Sequence, residues 1–433
     1  MIMKTSTVFA VLLFSILSFS CKKNENVEAP AAEPVVDIRD SLVEACWKRG
    51  RYVVSYGIEN PVPDGTLYTD PFPEWIENVE CNEGSLIFTV GTNISSGMRE
   101  AEIVLVYGFG EGLAKTGTVR IVQEASGFEA DRVFMASVAV GNYYAERYSA
   151  SHTEQNYFTY LSDAAYDELG FLVKGATYYA FDIFSEVRAT DVFSIAAPEG
   201  TYSLGIPGET GAGTFSATGS YWITIGNGEY NFPEDCVDFK SGFLDIHAED
   251  GEWVYEAFVE DVDGGKHYVC YKGTVGLDNF SAGPDVGHNS SLLSDYDADL
   301  SGAVCEASCL GGTYGEGLST WVLTVYPEDY RGDIVNIEIV AGDNFTPWDD
   351  GLPTGKYSGS GVPASGSYIM DKSSLTIVDA NGRTRASGCF REGSVILSLM
   401  ENGVYSIEFD CLDDNRPAYR MTGKWEGVPV VKY

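Results

Sequence analysis

Residues 74–107 read EWIENVECNEGSLIFTVGTNISSGMREAEIVLVY, and this stretch decides the fold class. It holds two short apolar runs, 86–90 (LIFTV) and 101–106 (AEIVLV), separated by Gly, Asn and Ser. Short runs rich in β-branched residues and bounded by turn-forming residues are typical of β-strands. We therefore predict a strand over each run.

Runs of the same kind continue to the end of the chain. Further examples are 119–122 (VRIV), 221–225 (YWITI), 322–325 (VLTV) and 395–399 (VILSL). The chain also contains 48 glycines and 27 tyrosines and lacks a long amphipathic helical pattern. These patterns predict an all-β, multi-domain protein in which a single short helix could lie near residues 162–169.

The N-terminus has the features of an export signal. Lys4 precedes an apolar run, 8–19 (VFAVLLFSILSF), which is too short to cross a hydrocarbon core of roughly 30 Å. Cys21 follows almost directly, and 17–21 (LSFSC) resembles the box at which bacterial lipoproteins are cleaved and lipidated. We predict lipid attachment at Cys21, with an ordinary cleaved signal and an incidental cysteine as the alternative.

Length and charge limit the domain count and the partners. A chain of 433 residues is too long for one hydrophobic core of typical size, so at least two domains are expected. A net charge of −37 argues against nucleic acid and anionic membrane surfaces, because a phosphate backbone is bound by basic patches. Eight cysteines after Cys21 permit disulfides in an exported chain but do not require them.

Residues 43–125 resemble a known family. Four features carry the resemblance, in this order: 58–61 (IENP), 75–76 (WI), 88–90 (FTV) followed by Asn93 and Arg99, and 119–123 (VRIVQ). The segment is similar to the BACON domain, a small immunoglobulin-like β-sandwich common in secreted proteins of Bacteroidetes. The resemblance implies a carbohydrate-binding or spacer role and supplies no catalytic residues. Trp75 is expected to be a packing residue.

The remainder of the chain contains an internal repeat. Four pairs of segments match in the same order along the chain: 128–131 with 296–299, 141–146 with 311–316, 200–203 with 355–358, and 254–273 with 404–423 at an offset of 150. Two copies are too few for a solenoid. Each copy is therefore expected to form its own β-sandwich or jelly-roll-like domain.

Together these features predict the organisation of the whole chain. The fold class is all-β, an N-terminal immunoglobulin-like (BACON-like) sandwich followed by two related β-sandwich or jelly-roll-like domains. The predicted segments are a lipoprotein signal peptide (1–20), a tether (21–38), the BACON-like domain (39–126), the first β-domain copy (127–283) and the second copy (284–433). The lipid anchor predicts a place at the outer membrane, on the cell surface, with the periplasmic face as the alternative.

An acidic ladder near residue 300 has the spacing of a calcium loop. Oxygen ligands at loop positions 1, 3, 5, 7 and 12 would be Asp295, Asp297, Asp299, Ser301 and Glu306. Position 6 needs Gly for a sharp turn, but Leu300 stands there. Calcium is therefore a candidate that Leu300 argues against, and an acidic linker is the alternative. No other cofactor or metal is predicted.

Aromatic side chains are the best candidates for ligand contact, because sugar rings stack on Trp and Tyr beside polar groups. Trp348, with Asp349 and Asp350, lies among the turn formers of 345–353 (FTPWDDGLP). In each of the pairs 143–144 and 178–179 one tyrosine could face solvent, because strand residues alternate between faces. Trp222 and Trp321 are expected in the core. The predicted ligand-binding residues are Trp348, Asp349, Asp350, Tyr144 and Tyr314.

No catalytic residue is predicted. With 64 acidic residues, carboxylate pairs are certain to occur, and the four histidines lack the spacing of a metal or nucleophile site. We expect a non-enzymatic, lipid-anchored surface protein that binds glycan, with the BACON-like domain as spacer or binding module. The second copy should contribute most of the glycan binding, because the first has no aromatic residue at the position aligned with Trp348. Two alternatives are a structural or adhesive component that binds protein partners, and a glycoside hydrolase of unrecognised family.

Overall fold

The computed structural model describes residues 32–226, 235–342 and 351–432. Over these ranges the chain is all-β, which confirms the predicted fold class, and two short 3₁₀ helices occur at Met370–Lys372 and Glu401–Gly403. The chain divides into two compact units, Met1–Gly127 and Phe128–Tyr433. No helix within the described ranges is both long and apolar enough to span a membrane.

The first unit is a sandwich of two four-stranded sheets. One sheet has the order β1-β3-β6-β5 and the other β2-β8-β7-β4. Alternating residues of the facing strands, such as Phe88 and Ile103, are fully buried between the sheets. The strands are β1 (Val35–Ile38), β2 (Leu42–Ala45), β3 (Gly50–Glu59), β4 (Thr66–Thr69), β5 (Ile76–Asn82), β6 (Ser85–Val90), β7 (Arg99–Phe109) and β8 (Leu113–Gln123).

Three of the residues that carry the BACON resemblance, Asn93, Arg99 and Gln123, form a polar cluster in this unit. Asn93 is buried and donates its amide to the carbonyls of Gly97 and Glu124. Arg99 donates to Gln123 at 2.7 Å and lies 4.4 Å from the ring centre of Trp75. Trp75 itself packs against the sandwich core, as expected. These residues therefore hold strand ends together.

The second unit contains two large sheets, one from each copy. The first is built from β9 (Arg132–Met135), β10 (Val138–Ala145), β11 (Gln155–Ser162), β12 (Thr177–Ser185), β13 (Gly200–Leu204), β14 (Thr214–Phe215), β15 (Tyr221–Thr224), β16 (Val237–Glu249), β17 (Glu252–Asp261), β18 (Lys266–Gly273) and β19 (Val275–Asn279). The second is built from β20 (Tyr296–Ala298), β21 (Val304–Gly311), β22 (Leu318–Tyr326), β23 (Gly332–Gly342), β24 (Gly355–Ser360), β25 (Ser367–Ile369), β26 (Ser374–Val378), β27 (Thr384–Cys389), β28 (Glu392–Leu399), β29 (Tyr405–Leu412), β30 (Arg420–Gly427) and β31 (Val430–Lys432).

The two sheets share one topology, which confirms the internal repeat. The first runs β19-β10-β11-β12-β14-β13-β16-β17-β18-β9, and the second runs β31-β21-β22-β23-β25-β24-β28-β29-β30-β20. Their unusual parallel pairs also correspond: β9 with β18 matches β20 with β30, and β10 with β19 matches β21 with β31. Off these paths the copies differ: in the first, β15 pairs with β12 and β16, whereas in the second, the β26–β27 hairpin pairs with β23.

One of the four pairs of matching segments aligns residues that are also structurally equivalent in the two sheets. Gly200 and Gly355 begin β13 and β24, and each precedes a buried tyrosine by two positions. The phenol of Tyr202 donates to the carbonyl of Pro198 at 2.8 Å, and that of Tyr357 donates to Pro353 at 2.7 Å. The Pro-x-Gly-x-Tyr pattern is therefore the same structural feature in both copies.

The other three pairs of segments are displaced: the first two by four residues, and the last by two residues at its start and by four at its end. At the first, the structural partner of Asp131 is Asp295, because their carboxylates accept the backbone N–H of Lys266 and Arg420 at the same point of the sheet. At the end of the last pair of segments, residues paired across neighbouring strands connect Gly200 with Tyr271 in the first copy and Gly355 with Trp425 in the second. Tyr271 and Trp425 are therefore equivalent, at an offset of 425 − 271 = 154 instead of 150. Strand alternation repeats every two residues, so a shift of four preserves the apolar pattern and was invisible in the sequence.

One hydrophobic cluster contains buried residues of both copies. Trp321 is fully buried in it, as expected, whereas Trp222 is only partly buried at its margin. Arg188 of the first copy also donates to the phenol of Tyr419 in the second at 3.0 Å. The division between residues 283 and 284 into separate domains stays a prediction. No disulfide joins the eight described cysteines.

Candidate functional site

The outer face of β10 and β11 carries the candidate site. Strand alternation places Tyr143 in the core and Tyr144, half-buried, on the outer face, as expected for this pair. For the pair 178–179 the expectation was wrong, because both rings are fully buried. Tyr179 lies in the main core, and Tyr178 lies in a small second cluster on the outer face together with Ile223.

A loop after β11 folds over this second cluster. The short helix expected near residues 162–169 is wrong, because β11 continues to Ser162 and the chain then turns. The carboxylate of Asp167 accepts the backbone N–H of Leu169 and of Phe171, each at 2.9 Å, which closes a turn instead of a helix. Tyr166 and Leu172 pair as an isolated bridge and pack on the cluster.

These elements enclose a groove of about 550 Å³, which we call the aromatic groove. Its aromatic lining residues are Tyr144, Phe158, Tyr160, Tyr166, Phe171 and Phe280. Phe171 and Phe280 are 61% and 47% exposed, so their rings are open to a ligand rather than core. The ring centres of Tyr144 and Phe280 lie 5.9 Å apart.

Two polar side chains, Asn142 and Asp278, accompany the rings. Asn142 donates its amide to the phenol oxygen of Tyr144 at 2.9 Å. Burial raises the pKa of Tyr144 and of Tyr166 above the ordinary value for tyrosine. Both phenols therefore stay protonated near neutral pH and can donate as well as accept hydrogen bonds.

The second copy lacks aromatic residues at the positions of Tyr144, Phe158 and Tyr160. Each first hairpin contains a bulge, between Tyr143 and Ala145 in the first copy and between Cys309 and Gly311 in the second, and this fixes the alignment. Four groove positions compare as follows: Asn142 with Ser308, Tyr144 with Leu310, Phe158 with Val322, and Tyr160 with Thr324. The topology thus forms without the aromatic side chains.

A larger cleft of about 1250 Å³ adjoins the aromatic groove and is lined by both copies; we call it the intercopy cleft. Tyr166, Gly170 and Asp278 line both spaces. From the second copy, Arg385 crosses to the first and donates to the carbonyl of Val192 at 3.2 Å and to Asp278 at 3.3 Å. Arg385 thus connects the two copies at the cleft.

The calcium candidates are not gathered around one point. Asp295 accepts the backbone N–H of Arg420, Asp297 accepts the hydroxyl of Thr422, and Asp299 accepts Ser301. Glu306 pairs with Lys432 and accepts the phenol of Tyr326. Among the described residues, no group of three or more His, Cys, Asp or Glu side chains could hold a metal ion.

The other predicted site residues lie apart from the groove or outside the described ranges. Tyr314 follows β21 and donates its phenol to Glu338. Trp348, Asp349, Asp350 and Cys21 lie outside the described residues. Of these rings, the sequence pattern predicted Tyr144 but not Phe158, Tyr166 or Phe280, which come from three separate segments. Correct alignment of the two copies would have exposed Phe158, because Val322 takes its place.

The chain matches no protein-family model and none of the curated proteins. Among solved structures it is similar to extracellular cadherin domains 1–4 of protocadherin gamma B7, with 10% identity, a TM-score of 0.16, and coverage of 92% of this chain and 76% of that one. A bacterial ice-binding adhesin of 1.5 MDa gives 11% identity, a TM-score of 0.14, and coverage of 92% and 98%. At these TM-scores the likeness carries no argument about function.

Proposed function

We propose that this protein is a lipid-anchored surface protein that binds glycans in the aromatic groove of its first copy. The observation that carries the proposal is the set of rings beside Asn142 and Asp278, of which all but Tyr160 are at least partly exposed. A sugar ring presents apolar C–H faces and polar hydroxyl edges, which suit aromatic rings and amide or carboxylate groups. The shared topology does not require a ring at the positions of Tyr144 and Phe158, since Leu310 and Val322 stand there in the second copy.

The rest of the chain has supporting roles in this proposal. The sandwich of the first unit serves as a BACON-like spacer, and the lipid on Cys21 anchors the protein at the outer membrane. Binding takes place without bond cleavage. Release of reducing sugar from a polysaccharide panel would contradict that part of the proposal and favour a glycoside hydrolase.

Glycan-array screening followed by isothermal titration tests the binding site. Tyr144→Ala and Phe280→Ala should each weaken binding of an array hit by roughly threefold to tenfold, because a ring contact contributes about 0.5–1.5 kcal/mol beyond its buried area. Tyr68→Ala is the matched control, since Tyr68 is an exposed tyrosine of the first unit. Unchanged affinity in both groove variants, with normal thermal midpoints, would refute the site.

A further inference from the structure

We infer that the aromatic groove and the intercopy cleft form one continuous site for an extended, uncharged oligosaccharide, an inference that rests on the proposed function. The two spaces share a wall, because Tyr166 and Asp278 line both. A ligand lying on the rings of the groove can therefore continue past Tyr166 into the cleft without leaving the surface.

The size of the cleft favours a chain over a single sugar. Small-molecule sites occupy about 300–1,000 Å³. The intercopy cleft alone, at about 1250 Å³, exceeds that range, and the groove adds about 550 Å³. The lining of the cleft also includes exposed apolar side chains, since Leu169 is 80% exposed and Phe193 is 52% exposed. Further sugar units can pack their C–H faces there.

The charges of the cleft favour hydroxyl groups over ionised ones. Its lining includes five carboxylates, Asp167, Glu168, Asp278, Asp329 and Asp379, and three guanidinium groups, Arg331, Arg383 and Arg385. A sugar hydroxyl donates to the former and accepts from the latter. A polyanion would instead meet an excess of carboxylates on a chain of net charge −37.

The second copy places Asn381 and Arg383 in the cleft lining on a preorganised turn between β26 and β27. The carboxylate of Asp379 accepts the backbone N–H of Asn381 at 2.8 Å and of Arg383 at 2.9 Å. The hydrogen bond from Arg383 is the largest of the effects that lower the pKa of Asp379. The side chains of Asn381 and Arg383 are exposed at the cleft. Because the backbone is already ordered, binding costs little further backbone entropy.

Titration of the full chain with oligosaccharides of defined length tests the inference. The probes are cello-, manno- and laminari-oligosaccharides of two and six units, with hyaluronan and polygalacturonate as anionic comparators. We expect the six-unit form of the recognised series to bind more tightly than its two-unit form. The double variant Asn381→Ala/Arg383→Ala should weaken the six-unit ligand about tenfold, from the loss of two hydrogen bonds, and leave the two-unit ligand unchanged.

Arg51→Ala, which removes an exposed arginine of the first unit, is the control and should change neither affinity. Wild-type affinity of the double variant for the six-unit ligand would overturn the continuous site while leaving the proposed function intact. Tighter binding of the anionic comparators would overturn the uncharged class. If Tyr144→Ala bound both lengths like the wild type, or if neither the neutral nor the anionic probes bound, the proposed function would fail as well.

Discussion

Asp261 is the centre of a buried hydrogen-bond network whose loss should strongly destabilise the first copy. Its carboxylate accepts Trp222 Nε1 at 3.1 Å, the backbone N–H of Asp263 at 3.0 Å and that of Gly265 at 2.8 Å, and it pairs with His267 Nε2 at 3.0 Å. The other nitrogen of His267 lies 2.8 Å from the phenol oxygen of Tyr179.

Asp261→Ala leaves several of these donors buried without an acceptor. Removing one partner of a buried ionic network costs about 3–5 kcal/mol, and we expect a loss of this size in the free energy of unfolding. The measurement is urea unfolding followed by tryptophan fluorescence. Asp263→Ala, two residues away in the same hairpin and exposed, is the control and should change the free energy by less than about 0.5 kcal/mol.

The pH dependence gives a second test of the same network. Burial opposes ionisation of Asp261, but hydrogen bonds from Gly265, Trp222 and His267 outweigh it, so the pKa lies below its ordinary value. A lowered pKa in the folded state stabilises the protein above the unfolded value of about 3.9 and loses that effect as the pH falls through the folded value. The difference in the free energy of unfolding between wild type and Asp261→Ala should shrink below about pH 4. Equal stability of the Asp261 and Asp263 variants at neutral pH would refute the reasoning.

Two further predictions concern the anchor and the shared core. Cys21→Ala should move the protein from the membrane fraction to the soluble fraction or leave an unprocessed precursor, because the proposed lipid would be attached to the Cys21 thiol; normal processing with membrane fractionation would contradict lipidation. A fragment of residues 128–283 should unfold at lower urea concentration than one of residues 128–433, because the hydrophobic cluster spans both copies and Arg385 bonds across them; equal midpoints would show that the copies are independent domains.

The strands could be predicted because each apolar run is long enough to fix its own alternation. The helix near residues 162–169 could not be excluded, because Asp163-Ala164-Ala165-Tyr166 suits a helix locally and only the side chain of Asp167 and the cluster beneath redirect it. Tyr178 shows the same limit. Alternation placed it opposite Tyr179, but whether that second face meets water depends on the course of the loop between β11 and β12, which the pattern within β12 does not predict.

The groove was only partly accessible from sequence, because its rings come from β10, β11, the loop after β11 and the end of β19. Periodicity within one strand identified Tyr144, whereas Phe280 is brought beside it by a parallel pairing of distant segments. The repeat did contain the needed signal, but a shift of four residues obscured it. In the sequence alignment Tyr144 stood against Tyr314, whereas the shared bulge places it against Leu310.

The difference between the copies argues for one composite site instead of two repeated ones. At the position of Asp278 in the first copy, the second has Lys432, which pairs with Glu306 on the same outer face. That face is therefore occupied by its own ion pair, where the first copy has Asp278 and aromatic rings. The second copy's turn near Arg383 instead lines the cleft beside the first copy's groove. One copy thus supplies the stacking surface and the other supplies polar groups at its end, so that the duplication extends a single site.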